Sequence, residues 1–179
     1  MRVRRVRSET DKVAARLRQL SRTVVTIGVH GDAPHPTDDD GKALPITMPE
    51  LAAVHEFGAP ERRIPERSFL RAAMAKDAQH ILDDLRLKLD DVINGTMSPQ
   101  KLATRGGVLI LGAVREVISA GIRPELAEVT KASRDKKASH GGGLVANVGK
   151  YTPLVDSGQL WQSLVFRVDK RANRPQQGA

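Results

Sequence analysis

Between positions 68 and 94 the apolar residues Leu70, Met74, Ala78, Ile81, Leu85, Leu89 and Val92 step by 4, 4, 3, 4, 4 and 3. Steps of three and four return side chains to one face of an α-helix, so the spacing predicts a single helix with a continuous buried seam. Ser68 is the expected N-cap and Asn94-Gly95 the expected stop. At 1.5 Å per residue such a helix is about 40 Å long. Any fold of this chain must cover that seam, and it must do so mostly with Leu, Val, Ile and Ala, because only five aromatic residues are present.

The flanking segments supply candidates. Residues 8–20 place Val13, Leu17 and Leu20 at helical spacing behind Ser8, with Glu9 and Asp11 in the first turn, which predicts a helix. Residues 23–30 (TVVTIGVH) change to a period of two in a β-branched run and are predicted as a strand. Residues 31–47 hold three prolines and read as an exposed loop. Pro49 suits the first turn of a short helix that Gly58 and Pro60 end. Ser98-Pro99 opens a further helix whose core face is Leu102, Leu109, Ala113 and Val117. Gly106-Gly107 and Gly112 inside it suggest close approach or a kink. Residues 123–150, with Pro124 and Gly141-Gly142-Gly143, are expected to form an irregular excursion. Residues 164–168 alternate as a second strand.

The expected fold class is therefore α+β: a long central helix and further helices packed on a small antiparallel sheet, with extended loops and flexible basic ends. The expected organisation is a basic arm at 1–7, one domain over 8–169 and a C-terminal tail at 170–179. The longest apolar run, 108–113, is too short to cross a bilayer, so no membrane partner is expected. Arg2, Arg4, Arg5 and Arg7 interrupt any secretory apolar core at the start. Without cysteine there is no disulfide framework and no thiolate site.

Catalytic and metal constellations fail on spacing. His30, His35 and Asp38, Asp39 and Asp40 share a loop without an ordered ligand pattern. His55-Glu56 lacks the second histidine of a zinc helix, because Ala59 stands at that position. Ser157 lies in no Gly-x-Ser-x-Gly elbow, so Asp156 and Ser157 read as a helix cap rather than a nucleophile. The triple glycine lacks the Lys-Ser/Thr of a phosphate loop. No enzyme and no cofactor is expected. Gly58 is expected to turn the chain at positive φ while Phe57 drops back onto the seam and Phe69 joins the core.

Two segments carry a resemblance. Residues 51–71 (LAAVHEFGAPERRIPERSFLR) contain His55, Glu56, Phe57 and Gly58, then Pro65, Phe69 and Leu70. Residues 154–164 (LVDSGQLWQSL) contain Asp156, Ser157, Gly158 and Leu160. In that order they resemble the neck and tail-completion proteins of tailed bacteriophages, with Glu61-Arg62-Arg63 inserted before Ile64-Pro65 and Trp161 after Leu160 as departures. The resemblance implies a structural virion protein at the head-tail junction, assembled in the host cytoplasm as a homo-oligomeric ring, with six subunits expected from tail symmetry. Head-closure, tail-terminator or tail-tube proteins would be its neighbours.

Charge suggests where contacts fall. The net charge is +8, and residues 1–30 alone carry eight Lys or Arg against two acids. Arg2, Arg4, Arg5, Arg7, Arg67, Arg71, Lys136 and Lys137 are candidate contacts to acidic protein or to genomic DNA phosphate. A solvated basic face is the plain alternative for each. The rival function is a non-specific basic nucleic-acid-binding accessory protein, since no sequence-reading motif is present.

Overall fold

The computed structural model describes residues 8–38, 40–139, 151–154 and 157–171. The arm at 1–7, the triple glycine, Asp156 and residues 172–179 lie outside them. The chain is mixed α and β, as expected: α1 (Glu9–Ser21), β1 (Thr23–Gly28), α2 (Met48–Phe57), α3 (Phe69–Leu87), α4 (Leu89–Asn94), α5 (Pro99–Ala120), α6 (Glu128–Ser139), α7 (Gln159–Ser163) and β2 (Val165–Lys170). β1 and β2 pair as a two-stranded antiparallel sheet. Among the described residues no helix is long and apolar enough to cross a membrane.

Contacts divide the stretch 8–169, read above as one domain, into two compact units. The first contains α1, most of both strands, the end of α3, α4 and the start of α5. Ser8 caps α1 through a reciprocal pair, with the Asp11 amide donating to Ser8 Oγ at 3.1 Å and the Ser8 amide donating to Asp11 Oδ2 at 3.2 Å. Arg16 then reaches from α1 to the Ile93 carbonyl at 2.8 Å and lies directly over Gly95, where any Cβ would collide with its guanidinium. Gly95 at φ 82° also ends α4, as Asn94-Gly95 predicts. Gly107 has a related role: an added Cβ would run into the Phe166 ring of β2, so the sheet rests on α5 at a residue without a side chain. Of the two explanations for Gly106-Gly107, close approach is the one observed at Gly107.

The second unit contains residues 27–78 and 110–165. Its centre is Phe69, Met48, Val114, Ile118 and Leu164, each at most 1% exposed. Phe69 is thus a core residue, whereas Phe57 is 65% exposed and does not fold back onto the seam. The Arg71 guanidinium covers its ring instead, 5.4 Å from the centroid.

Three further expectations change. The helix predicted to run to 94 is interrupted at Lys88, whose amide bonds to Leu85 O one residue short of the α pattern. Asp90 and Asp91 then fall in the first turn of α4, where negative charge is favourable, and Val92 becomes fully buried. The excursion over 123–150 contains a helix, α6, across Glu128–Ser139. It has no apolar stripe among its described side chains: Val129 is 83% exposed, and Arg134 is the buried one among them. The C-terminal tail begins later than 170, since Lys170 closes β2 and the Arg171 amide donates to Arg22 O at 2.6 Å.

The two phenylalanines give a direct test of this packing. Phe69→Ala is expected to cost about 3–5 kcal/mol of unfolding free energy, and Phe57→Ala about 1 kcal/mol or less. Urea unfolding of both variants measures the difference.

Candidate functional site

The first signature segment is organised by Glu56. This residue is the penultimate one in α2 and is 4% exposed, an unusual state for a carboxylate. Its oxygens face the open N-terminus of α3, whose first amides have no partner within the helix. Oε2 accepts from the Leu70 amide at 2.9 Å and Oε1 from the Arg71 amide at 3.3 Å. Arg71 Nε adds a 3.2 Å bond to Oε1, and Arg71 Nη2 bridges Glu56 O at 3.0 Å and Glu66 Oε1 at 2.8 Å. Capping of α3 is therefore supplied from another helix and not by Ser68, whose hydroxyl donates to Glu66 Oε1 and Glu56 O.

Gly58 makes this junction possible. It sits at φ 74°, and a Cβ there would lie 2.8 Å from the Glu66 amide nitrogen and 3.1 Å from the Ile64 oxygen. The turn beyond it closes on itself, because Ala59 and Ile64 exchange both backbone hydrogen bonds at 2.9 and 3.0 Å around a 3-10 turn at Pro60–Arg62. The inserted Glu61-Arg62-Arg63 is thus absorbed within a closed loop. The Arg67 amide returns to His55 O at 2.8 Å and completes the reversal.

The second segment meets the first through α2 and α7, which touch. Gly158 begins α7 at φ 79° without a side-chain cap, so Ser157 does not have the capping role expected of it. The residue that anchors the segment is Gln159. Its amide pairs with the backbone of Thr37 in both directions, accepting from Thr37 N at 2.8 Å and donating to Thr37 O at 3.1 Å. Behind α7, Arg115 stacks on Trp161 at 4.5 Å and donates to Leu164 O at 3.0 Å.

Between these parts lies a cavity of about 720 Å³ in the second unit. Leu51, His55 and Pro65 from the first segment line it together with Ser157, Gly158 and Leu160 from the second. Leu126 just before α6, and Thr130 and Arg134 within it, add to the lining. Arg67 lies in the lining, 7% exposed. Its Nε and Nη2 donate to the carbonyls of Pro124 and Glu125 at 2.9 and 3.0 Å, so it holds the approach to α6 and is not a surface contact. Arg71 is engaged by Glu56 and Glu66 while its side chain stays 57% exposed. Arg134 donates to Thr152 O at 2.9 Å. Lys136 is exposed on α6; Lys137 belongs to the same helix, its side chain outside the described set.

Burial, and secondarily the Arg67 charge, hold the His55 imidazole below its ordinary pKa, and its Nδ1 has no partner among the described residues. Burial, with Arg134 second, also lowers Arg67. Among the described residues no three His, Asp or Glu side chains converge as metal ligands. The geometry offers a preformed, cationic, apolar-walled cleft rather than a set of reacting groups. Comparison with protein-family models, curated proteins and solved structures finds no match to this chain.

Removing the cap should be costly, because it leaves two helix amides and the Arg71 Nε–H without their carboxylate acceptor. Glu56→Ala is expected to cost about 3 kcal/mol, and Ser68→Ala about 1 kcal/mol or less, in chemical unfolding. The pH dependence has a definite sign. With its folded pKa below its unfolded value, His55 binds protons more readily in the unfolded chain, so stability falls as pH drops below about 6.5. In His55→Gln, the loss of stability between neutral pH and pH 5.5 should be smaller than in the parent, as read by unfolding at each pH.

Proposed function

We propose that this protein is a structural component of a tailed-phage virion, acting as a ring-forming neck or tail-completion protein at the head-tail junction. The observation that carries the proposal is the convergence of the two signature segments. Of the residues that carry the resemblance, His55, Pro65, Ser157, Gly158 and Leu160 line one cleft in the second unit. Their parts there are mechanical: Glu56 caps α3, Gly58 reverses the chain, and Leu160 is buried. Such residues build a rigid body for stacking against other rigid bodies, which is what a junction ring must be.

On this reading the subunit works by presenting a stiff surface. Phe57 at the end of α2 and Arg62 and Arg63 in the closed loop after Gly58 are exposed, an aromatic and basic combination common in protein interfaces. The strong positive balance suits acidic surfaces of neighbouring tail-tube, tail-terminator or head-closure proteins, with DNA phosphate as a second polyanion within reach of a channel lining. Arg71, which covers the Phe57 ring and keeps its side chain 57% exposed, adds to the same face.

Imaging decides the class. Negative-stain micrographs of the purified chain, alone and mixed with tail tubes, should show closed rings or capped tube ends. A monomer that leaves tubes bare but binds DNA with a steep salt dependence would overturn the proposal in favour of the nucleic-acid accessory role.

A further inference from the structure

We propose that the cavity beside α6 binds an acidic peptide segment of a partner protein, with a carboxylate seated on Arg67 and an apolar neighbour against the leucine wall. The inference stands apart from the assembly reading, because it concerns the isolated chain and would hold in any biological setting.

The starting point is the charge on Arg67. A guanidinium removed from water is stable only when its charge is answered, and burial of an unanswered one is costly. Arg67 is 7% exposed, yet its side-chain hydrogen-bond partners among the described residues are two neutral carbonyls, of Pro124 and Glu125. Among the described residues no carboxylate pairs with it. The nearest charges make matters worse: Arg134 opposes it, and Arg67 in turn disfavours protonation of His55. Arg63 adds a further positive charge to the lining. Glu125 is the single acid among the described lining residues, and its side chain is 81% exposed and directed to Lys131 at 3.6 Å.

The shape of the cavity narrows the occupant. About 720 Å³ accommodates a few side chains rather than a folded element. Its walls include Leu44, Leu51, Ile64, Leu126, Leu154 and Leu160, so the cationic spot is framed by apolar surface. A nucleic-acid backbone is held by basic groups exposed along a surface, and Arg67 is neither exposed nor part of such a row. An acidic side chain flanked by apolar ones complements both the charge and the walls. The carboxylate would replace part of the missing counter-charge with a charge-assisted hydrogen bond, strengthened by the low local dielectric.

The test uses the full-length protein, nitrogen-15 labelled, with arginine Nε–H and backbone amide resonances followed by NMR. Three probes are titrated separately: acetyl-Leu-Glu-Leu-amide, acetyl-Leu-Gln-Leu-amide and inorganic phosphate. The glutamate peptide should shift the Arg67 Nε–H and the amides of Leu126 and Leu160 saturably. The glutamine peptide should bind about tenfold more weakly or not at all, as expected for loss of one charge-assisted bond. Phosphate should leave these resonances in place. Arg67→Lys should weaken the glutamate peptide about tenfold with an otherwise native spectrum. Arg105→Gln, which removes a partner of Asp84 in the other unit, should leave binding unchanged. Equal binding of the two peptides, equal shifts with phosphate, or no shift with any probe up to about 10 mM would each overturn the proposal. If Arg67→Lys does not fold, the comparison of the two peptides on the parent protein still decides.

Discussion

The second unit depends on one buried carboxylate. Glu56 ends α2, accepts the first free amides of α3 and pairs with Arg71, so the direction of two helices is set by a single side chain. Because the carboxylate is removed from water, its bonds are worth more than those of a surface cap, and its loss leaves several donors unanswered. Gly58 and Arg67 serve the same junction. The glycine lets the chain pass within contact distance of Glu66, and the Arg67 amide closes the turn on His55 O. Phe69 follows directly and fills the core. What reads as a short motif of mixed chemistry is a joint between two helices.

That joint explains why some of the fold was legible in the sequence and some was not. Local signals were readable: Ser8 with Asp11, Pro49 in the first turn of α2, Gly95 after Asn94, and the alternation that makes β1 and β2. Each depends on residues a few positions apart. The break at Lys88 is local, but several other misread positions depend on partners far along the chain. Phe57 was expected to drop back onto the seam where Gly58 turns the chain, but Arg71 offers it a partner at the surface. Ser68 stands in the usual capping position, yet Glu56, 14 residues before Leu70, provides the acceptor. Gln159, which pairs with Thr37 across 122 positions, carries no local signal at all.

Helix α6 is the clearest case of a segment invisible to apolar periodicity. It contains one valine, which is exposed, and it is secured by polar bonds: Arg134 to Thr152 O, Tyr151 to Asp135 at 2.7 Å, and Arg67 to the carbonyls just before it. Lys131 with Glu128 three residues earlier is a helical pairing legible in the sequence. The same arginines that attach α6 bring positive charge into the cavity. Structure and recognition therefore draw on one set of groups, and the site was hidden in the sequence because Arg67 and Arg134 look like ordinary surface cations there.

The central claim is that Glu56 acts as the cap of α3. Native-state hydrogen exchange at the Leu70 amide tests it most directly, since an amide in the first turn of a helix is unprotected unless something outside the helix accepts its proton. The account predicts that Leu70 exchanges as slowly as amides in the interior of α3. Exchange at the rate of a free helix terminus would contradict it.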